Sequence, residues 1–572
     1  MKTLNRDSAT RIGHQAAFWV LVLSAYRASA SDIVLSNRLI TWGNAGVRGG
    51  IPIRSTIYSN FNADGYATVA HIQSAINSCP SNQVVFLNAG TYTFSSSLTI
   101  GSYMTLRGAT NASGAPTTFI NDSADDFGQF MFRNSLYPCE GPGACGGTVY
   151  SNNVTAGLTK GSTNITVSGS LANLTVGQIM VIDQLADNTI VFDYGPRNGS
   201  GESPHGSVWC RQGVRALSQF VVVTAKGSSD VTFMPPIYSA YWTNTMTPAI
   251  FYWADSSAVK GGGMENIQVN RSGGASSIVE IGPAIDCWVK NCVLSKPPAG
   301  VRFESAVFCE VDHSAVKGPF DSNGSGNYAF FLTSSSACKI EDNIVSNAPA
   351  TLACASASGC VFSYNYITNC PYSTPTYLAE IVNLSHGAHC TYNLAEGNWS
   401  PAMWADTYHG NSSFLLYARN RVLGYDGGKT DSLRCMNTDY HCDYNSIVGN
   451  VLGDDSHQTV YRNTSGSYCD FCILDLNEDN AGEPVGLTLY GNWNTVSNAI
   501  PAVENPGGST ISNSYYLASK PIWFGNRPWP PFDSSSPSAA TPTNIPAGYR
   551  YFVGSDPPSD NSVRHSVLQI TN

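Results

Sequence analysis

Charge is what this chain has least of: Asp, Glu, Lys and Arg make up 12% of its 572 residues, and 30 basic residues face 40 acidic ones. A net charge of −10 and a pI near 5.4 exclude the basic surface that a nucleic-acid partner requires. Long apolar runs are missing as well. The run Ala16 to Ala25 is too short to span a bilayer, which takes about 20 residues. With Lys2, Arg6 and Arg11 before it and Ala28-Ser29-Ala30 after it, the run reads as a secretory signal peptide over residues 1–30, cleaved after Ala30. The expected mature protein is secreted, extracellular or periplasmic, and makes no membrane contact. The long central stretch also lacks a leucine ladder and a 3.6-residue apolar period, which excludes leucine-rich and helical repeats.

What the chain has instead is Asn, Gly, Ser and aromatic residues in a recurring pattern. Between Val279 and Val496 short apolar runs keep returning to an Asn, at Asn291, Asn343, Asn365, Asn393, Asn420, Asn450 and Asn492, with successive offsets of 22, 28 and 27 residues from Asn343 to Asn420. A period of this size means coils that cannot bury an apolar face alone. Asn tolerates left-handed backbone, so Asn stacked on Asn at successive corners suits a parallel β-solenoid. With these Asn-bearing turns, the stretch resembles the right-handed parallel β-helix of the pectate-lyase-like superfamily.

The resemblance extends to residues 67–109, "ATVAHIQSAINSCPSNQVVFLNAGTYTFSSSLTIGSYMTLRGA", in the order helix, strand, "AGTY", strand, "MTLRGA". Val69, Ile72, Ala75 and Ile76 lie on one helical face and imply a cap over the open end of the coil. The expected fold is all-β: cap and first coils over 31–156, an inserted small antiparallel β subdomain over 157–238, main coils over 239–498, and an extended C-terminal tail over 499–572 packed on the last coils, with a loose end. A monomer is expected.

Sixteen cysteines in an exported chain leave two readings. Short spacings (Cys139/Cys145, Cys287/Cys292, Cys354/Cys360, Cys435/Cys442, Cys469/Cys472) favour local disulfides; position within strands favours thiols used as small apolar core residues. A zinc site at Cys469 and Cys472 lacks a second ligand pair.

Chemistry-bearing residues concentrate between Glu380 and Asp443, where four of the ten His lie. Residues one coil apart stack about 4.8 Å apart, so His386, His409 and Arg434, offset by 23 and 25 residues, form a candidate column with Asp406 and Glu396 beside it. Asp406, His409, Glu396 and Arg434 are the candidate catalytic residues; His386, Trp404, Tyr408 and Arg421 are candidate substrate-binding residues. Two carboxylates straddling a glycosidic bond suit hydrolysis, whereas an imidazole with an Arg fork on a uronate suits β-elimination. The resemblance implies a secreted carbohydrate-active protein, a polysaccharide lyase or glycoside hydrolase working on a polysaccharide in a groove along the coil. The alternative is a non-catalytic glycan-binding or tailspike-like structural protein. Of the polygalacturonase pattern, only Tyr408-His409-Gly410 and Arg434 have counterparts, and Asn437-Thr438-Asp439 follows the His instead of preceding it. The polar loop Asp183 to Gly213 is a second candidate cleft wall. No cofactor is indicated beyond calcium, for which the loop acids Asp454, Asp455, Glu478 and Asp479 offer ligands without a fixed assignment.

Overall fold

The computed structural model describes residues 33–553 except 124–127, 134–147, 193–209, 254–257, 273–276, 298, 319–326, 388, 455, 467, 477–481 and 506–509. The signal peptide, Cys139, Cys145, Asp455, Glu478, Asp479 and the end of the tail lie outside the described residues.

Three long parallel sheets run the length of the molecule: sheet I with twelve strands, and sheets II and III with eleven each. One coil shows the construction. Ala350–Ala355 lies in sheet III, Val361–Ser363 in sheet I and Tyr366–Thr368 in sheet II. Val361 pairs with Lys339 of the preceding coil and Leu394 of the next. Every inward residue of this coil, including Leu352, Cys354, Phe362 and Ile367, enters one continuous core. The fold is a right-handed parallel β-helix.

The corner between sheets I and II explains the Asn period. Asn343, Asn365, Asn398, Asn420, Asn450 and Asn492 form one buried ladder, each Nδ2 donating to the next Oδ1 at 2.9–3.1 Å. Each ladder Oδ1 also accepts the backbone N–H of the Asn below it, so the amide closes a turn that would otherwise bury unpaired backbone. The ladder ends on Glu504, whose carboxylate oxygen takes the Asn492 amide at 3.0 Å. Asn398, not Asn393, is the ladder member of its coil. Asn393 instead closes a different turn, accepting from Cys360 N–H at 3.0 Å.

All fourteen described cysteines are free thiols, so the four described pairs, Cys287/Cys292, Cys354/Cys360, Cys435/Cys442 and Cys469/Cys472, are not bridged. The reason lies in the coil. Cys287 and Cys292 flank the strand Trp288–Lys290 and enter the core at its opposite ends. The neighbour of Cys287 is Cys309 one coil away, whose Sγ accepts the Cys287 N–H at 3.4 Å. Burial pushes the thiols of Cys287, Cys309 and Cys338 well above the ordinary range, which keeps them protonated and unreactive.

Helix α1 (Val69–Ser78) caps the first coil, burying Ile72 and Ile76, with Thr68 accepting the His71 N–H at its start. The insertion is a closed six-stranded antiparallel barrel from Val149 to Trp253, wider than the 157–238 read from sequence. Its outer strands, Val149–Ala156 and Ala249–Trp253, pair with each other, so two segments resembling coil strands belong to the barrel. The barrel packs on the coils through Phe220, Phe251, Val307 and Phe308. The start of the segment read as cap and first coils instead runs along the coils: Arg38 reaches Thr488, Trp42 reaches Tyr392, Val47 reaches Glu310 and Arg54 reaches Thr105. The tail covers the corner between sheets I and II and ends in helix α2 (Pro546–Val553). Among the described residues no helix is long and apolar enough to cross a membrane.

Candidate active site

The polar concentration read from the sequence divides between two sides of the helix. On sheet III the strand Val382–Gly387 pairs with Met403–Ala405, and the residues at their ends meet. The Asn383 amide donates to Glu380 Oε2 at 2.9 Å and to Asp406 Oδ2 at 2.8 Å. His386 Nδ1 lies 2.9 Å from the same Asp406 oxygen and 3.8 Å from Glu380, while its Nε2 meets the Tyr328 hydroxyl at 3.0 Å. His409 packs edge-on against His386 with centroids 4.9 Å apart, and Tyr408, 40% exposed, lies parallel to the imidazole. Asp406 is fixed from below by the Ser385 hydroxyl, which donates to its carbonyl at 2.9 Å, and Asp439 accepts the Thr407 N–H from the next coil.

The two carboxyls are driven apart in acidity. Burial raises Glu380 well above the usual carboxylate range, and the neighbouring Asp406 charge raises it further. Asp406 resists the upward push of burial because His386, Glu380 and Asn383 all stabilise its charge, and it ends below its ordinary value. Glu380 is therefore the weaker acid of the pair and Asp406 the stronger, in mutual hydrogen-bond contact. Glu380 is 34% exposed and Asp406 only 3%, so the acid faces solvent and the carboxylate lies beneath it.

Glu380, His386 and Asp406 present three ligand atoms within 4.8 Å of one another. A nitrogen in the set does not suit calcium, which takes oxygen ligands only. The contacts already made through Asn383 and His386 account for the cluster.

The other candidates are placed elsewhere. Glu396, expected beside Asp406, belongs to sheet I and faces the tail, where it accepts from Tyr364 Oη at 3.0 Å and Tyr515 N–H at 2.7 Å. Burial pushes its carboxyl up to about 7. Arg434 is fully buried, 2.9 Å from Asp475 and sandwiched between Trp404 and Tyr468 at 4.5 Å from each centroid. Trp404 is thus roofed by a guanidinium and is no sugar platform. Arg421 lies in sheet II over Trp399 and donates to the carbonyls of Val422, Val451 and Gly453. The expected column fails because loops between sheets II and III vary in length. His409 follows the sheet III strand of its coil, whereas Arg434 precedes Met436–Thr438 in the next. Glu380 lies within the polar concentration and Asp439 within the Asn437-Thr438-Asp439 run, whereas Asn383 and Tyr328 carry no local signal. Tyr328 in particular comes from two coils below His386.

The barrel borders this region. Asn411 donates to the Ile190 carbonyl at 2.8 Å, and Phe192 stacks on His441 at 3.6 Å. Within the loop proposed as a cleft wall, Asp183 is held by Arg211 and Arg215 at 2.6 and 2.7 Å. Asp193, Arg197, Glu202, His205 and Trp209 lie outside the described residues.

No protein-family model and no curated protein matches the chain. Among solved structures it is similar to the tailspike of Pseudomonas phage phi297, at 11% identity and a TM-score of 0.45 over 72% of this chain, and it spans 60% of that protein's length. It is also similar to the A-module of the Azotobacter vinelandii mannuronan C-5 epimerase (11% identity, TM-score 0.29, 76% of this chain and 98% of that one). A polygalacturonase from Erwinia carotovora ssp. carotovora aligns at 10% identity and a TM-score of 0.30, over 77% of this chain and 94% of the other. On the showing of its own sheets, the chain is a right-handed parallel β-helix.

Proposed function

We propose that this is an exported carbohydrate-active protein that hydrolyses a glycosidic bond beside sheet III, with Glu380 as general acid and Asp406 as the ionised partner. The observation that carries the reading is the carboxyl pair: Glu380, which reaches solvent and is pushed up in pKa, touches buried Asp406, which His386 and Asn383 hold down. A glycosidic oxygen needs a proton as it leaves, which Glu380 supplies, and Asp406, in contact with Glu380 and too near it to flank the bond as nucleophile or base, acts as the electrostatic partner to the positive charge that develops on the sugar. Hydrolysis is favoured over β-elimination because Arg434 and Arg421, the two arginines considered for a uronate fork, are committed to Asp475 and to backbone carbonyls. Calcium has no part in this proposal.

One observation favours the non-catalytic alternative: Glu380, Asn383, His386 and Asp406 already hydrogen-bond among themselves. Incubation with plant, algal and microbial glycans separates the readings. New reducing ends without absorbance near 235 nm indicate hydrolysis, and that absorbance indicates elimination. Retention on a glycan column with no product supports binding alone.

A further inference from the structure

A cavity opens at the corner between sheets I and II, beside helix α2. Asn291, His313 and Asp342 occupy the same outward corner position on successive coils, each with positive φ. Helix α2 lays Arg550 on this row, 2.7 Å from Asp342 and 3.0 Å from His313 Nδ1. His313 Nδ1 is itself 2.8 Å from Asp342. Beside the row is a cavity of about 270 Å³, with Val293, Ala315 and Ile344 in its apolar lining and Lys317, Arg550 and Tyr551 around it.

The charge at this cavity is not balanced. Asp342 is matched by Arg550, whereas the exposed Lys317 ammonium has no acidic partner among the described residues. Among the described residues the cavity is thus a positive spot, on a chain of net charge −10. Its volume is below the range of roughly 300–1,000 Å³ that drug-sized ligands occupy and suits one six-membered sugar ring. Tyr551, 41% exposed, offers an aromatic face at the rim, of the kind that packs on the apolar face of a sugar.

We propose that this cavity binds a single anionic sugar unit, with Lys317 on its carboxylate or sulfate and its ring against Tyr551. The sugar class rests on the proposed function, whereas the charge and size rest on the cavity. The site is separate from the acid pair, which lies on sheet III, so a bound glycan would be held at one place and cut at another.

Calorimetry on the full chain with galacturonate, glucose 6-sulfate and glucose tests the inference. At least one anionic sugar should bind, glucose should bind at least about tenfold more weakly, and Lys317→Ala should remove about tenfold of the anion affinity while Lys317→Arg retains most of it. Lys317 is exposed, so these variants fold. Glu380→Gln should bind the anionic sugar as wild type does, even if neither protein cuts any glycan; failure of the hydrolase reading is therefore distinguishable from failure of this one. Equal affinity for glucose, no binding of either anion, unchanged affinity in Lys317→Ala, or loss in Glu380→Gln would overturn it.

Discussion

At the scale of single residues, the acid pair makes the sharpest demands. Glu380→Gln and Asp406→Asn should each lower turnover at least about a hundredfold, the usual scale for losing a positioned acid or base, with the fold intact by circular dichroism. Glu380 acts protonated and its pKa is raised, so turnover should fall as pH rises through that value. Removing the Asp406 charge lowers the Glu380 pKa, so the residual activity of Asp406→Asn should lose its alkaline limb at lower pH than wild type does; an unmoved limb would contradict the coupling. Glu396→Gln should leave turnover within a few-fold and change stability instead. Its carboxyl stands near 7 in the fold against an ordinary 4.5, so the fold prefers it protonated. That contribution is fully present below about pH 4.5 and is lost as pH rises through about 7, on the order of 3 kcal/mol for the whole displacement. Urea midpoints should therefore fall between pH 5 and 8 in wild type and fall less in Glu396→Gln.

At the scale of the element, the corner ladder carries the coil, and much of it was legible. Asn returning every coil signals an amide stacked on an amide, because few other side chains supply two donors and an acceptor; the left-handed backbone expected of the Asn falls instead on the residue before it, at Asp342, Tyr364, Gly397, Arg419, Gly449 and Gly491. What the sequence could not show was which Asn of a coil takes the ladder position. Asn393 and Asn398 both lie in polar turns, and only the strand Leu394–Glu396 between them decides that Asn398 meets Asn365. Asn450→Ala should cost about 2–5 kcal/mol, because it leaves the Asn420 N–H and amide both buried without an acceptor. Asn393→Ala strands one backbone donor and should cost less, about 1–3 kcal/mol by urea denaturation. Equal costs would mean the ladder has no special weight.

At the scale of the whole molecule, local pattern gave the coils and the cap, while the contacts that place the site are long-range. Asp406, His386, His409 and Tyr408 come together because one strand pair brings their ends into register. Glu396 is removed to the far side by a single corner, which no count of residues reveals. The same holds for the N-terminal segment, whose links from Thr488 to Thr105 join residues 450 and 51 positions apart. The Pro-rich tail was legible as a cover from its aromatics, and Trp523, Phe524 and Trp529 do pack around Tyr364. The account's central claim is that these long-range contacts build a hydrolytic acid pair. Its most direct test is the release of reducing ends from the glycan panel by wild type and by Glu380→Gln, assayed side by side. The account predicts product from at least one glycan with wild type, no absorbance near 235 nm, and at least about a hundredfold less product with the variant. Equal product from both proteins, or unsaturated product from wild type, would contradict it.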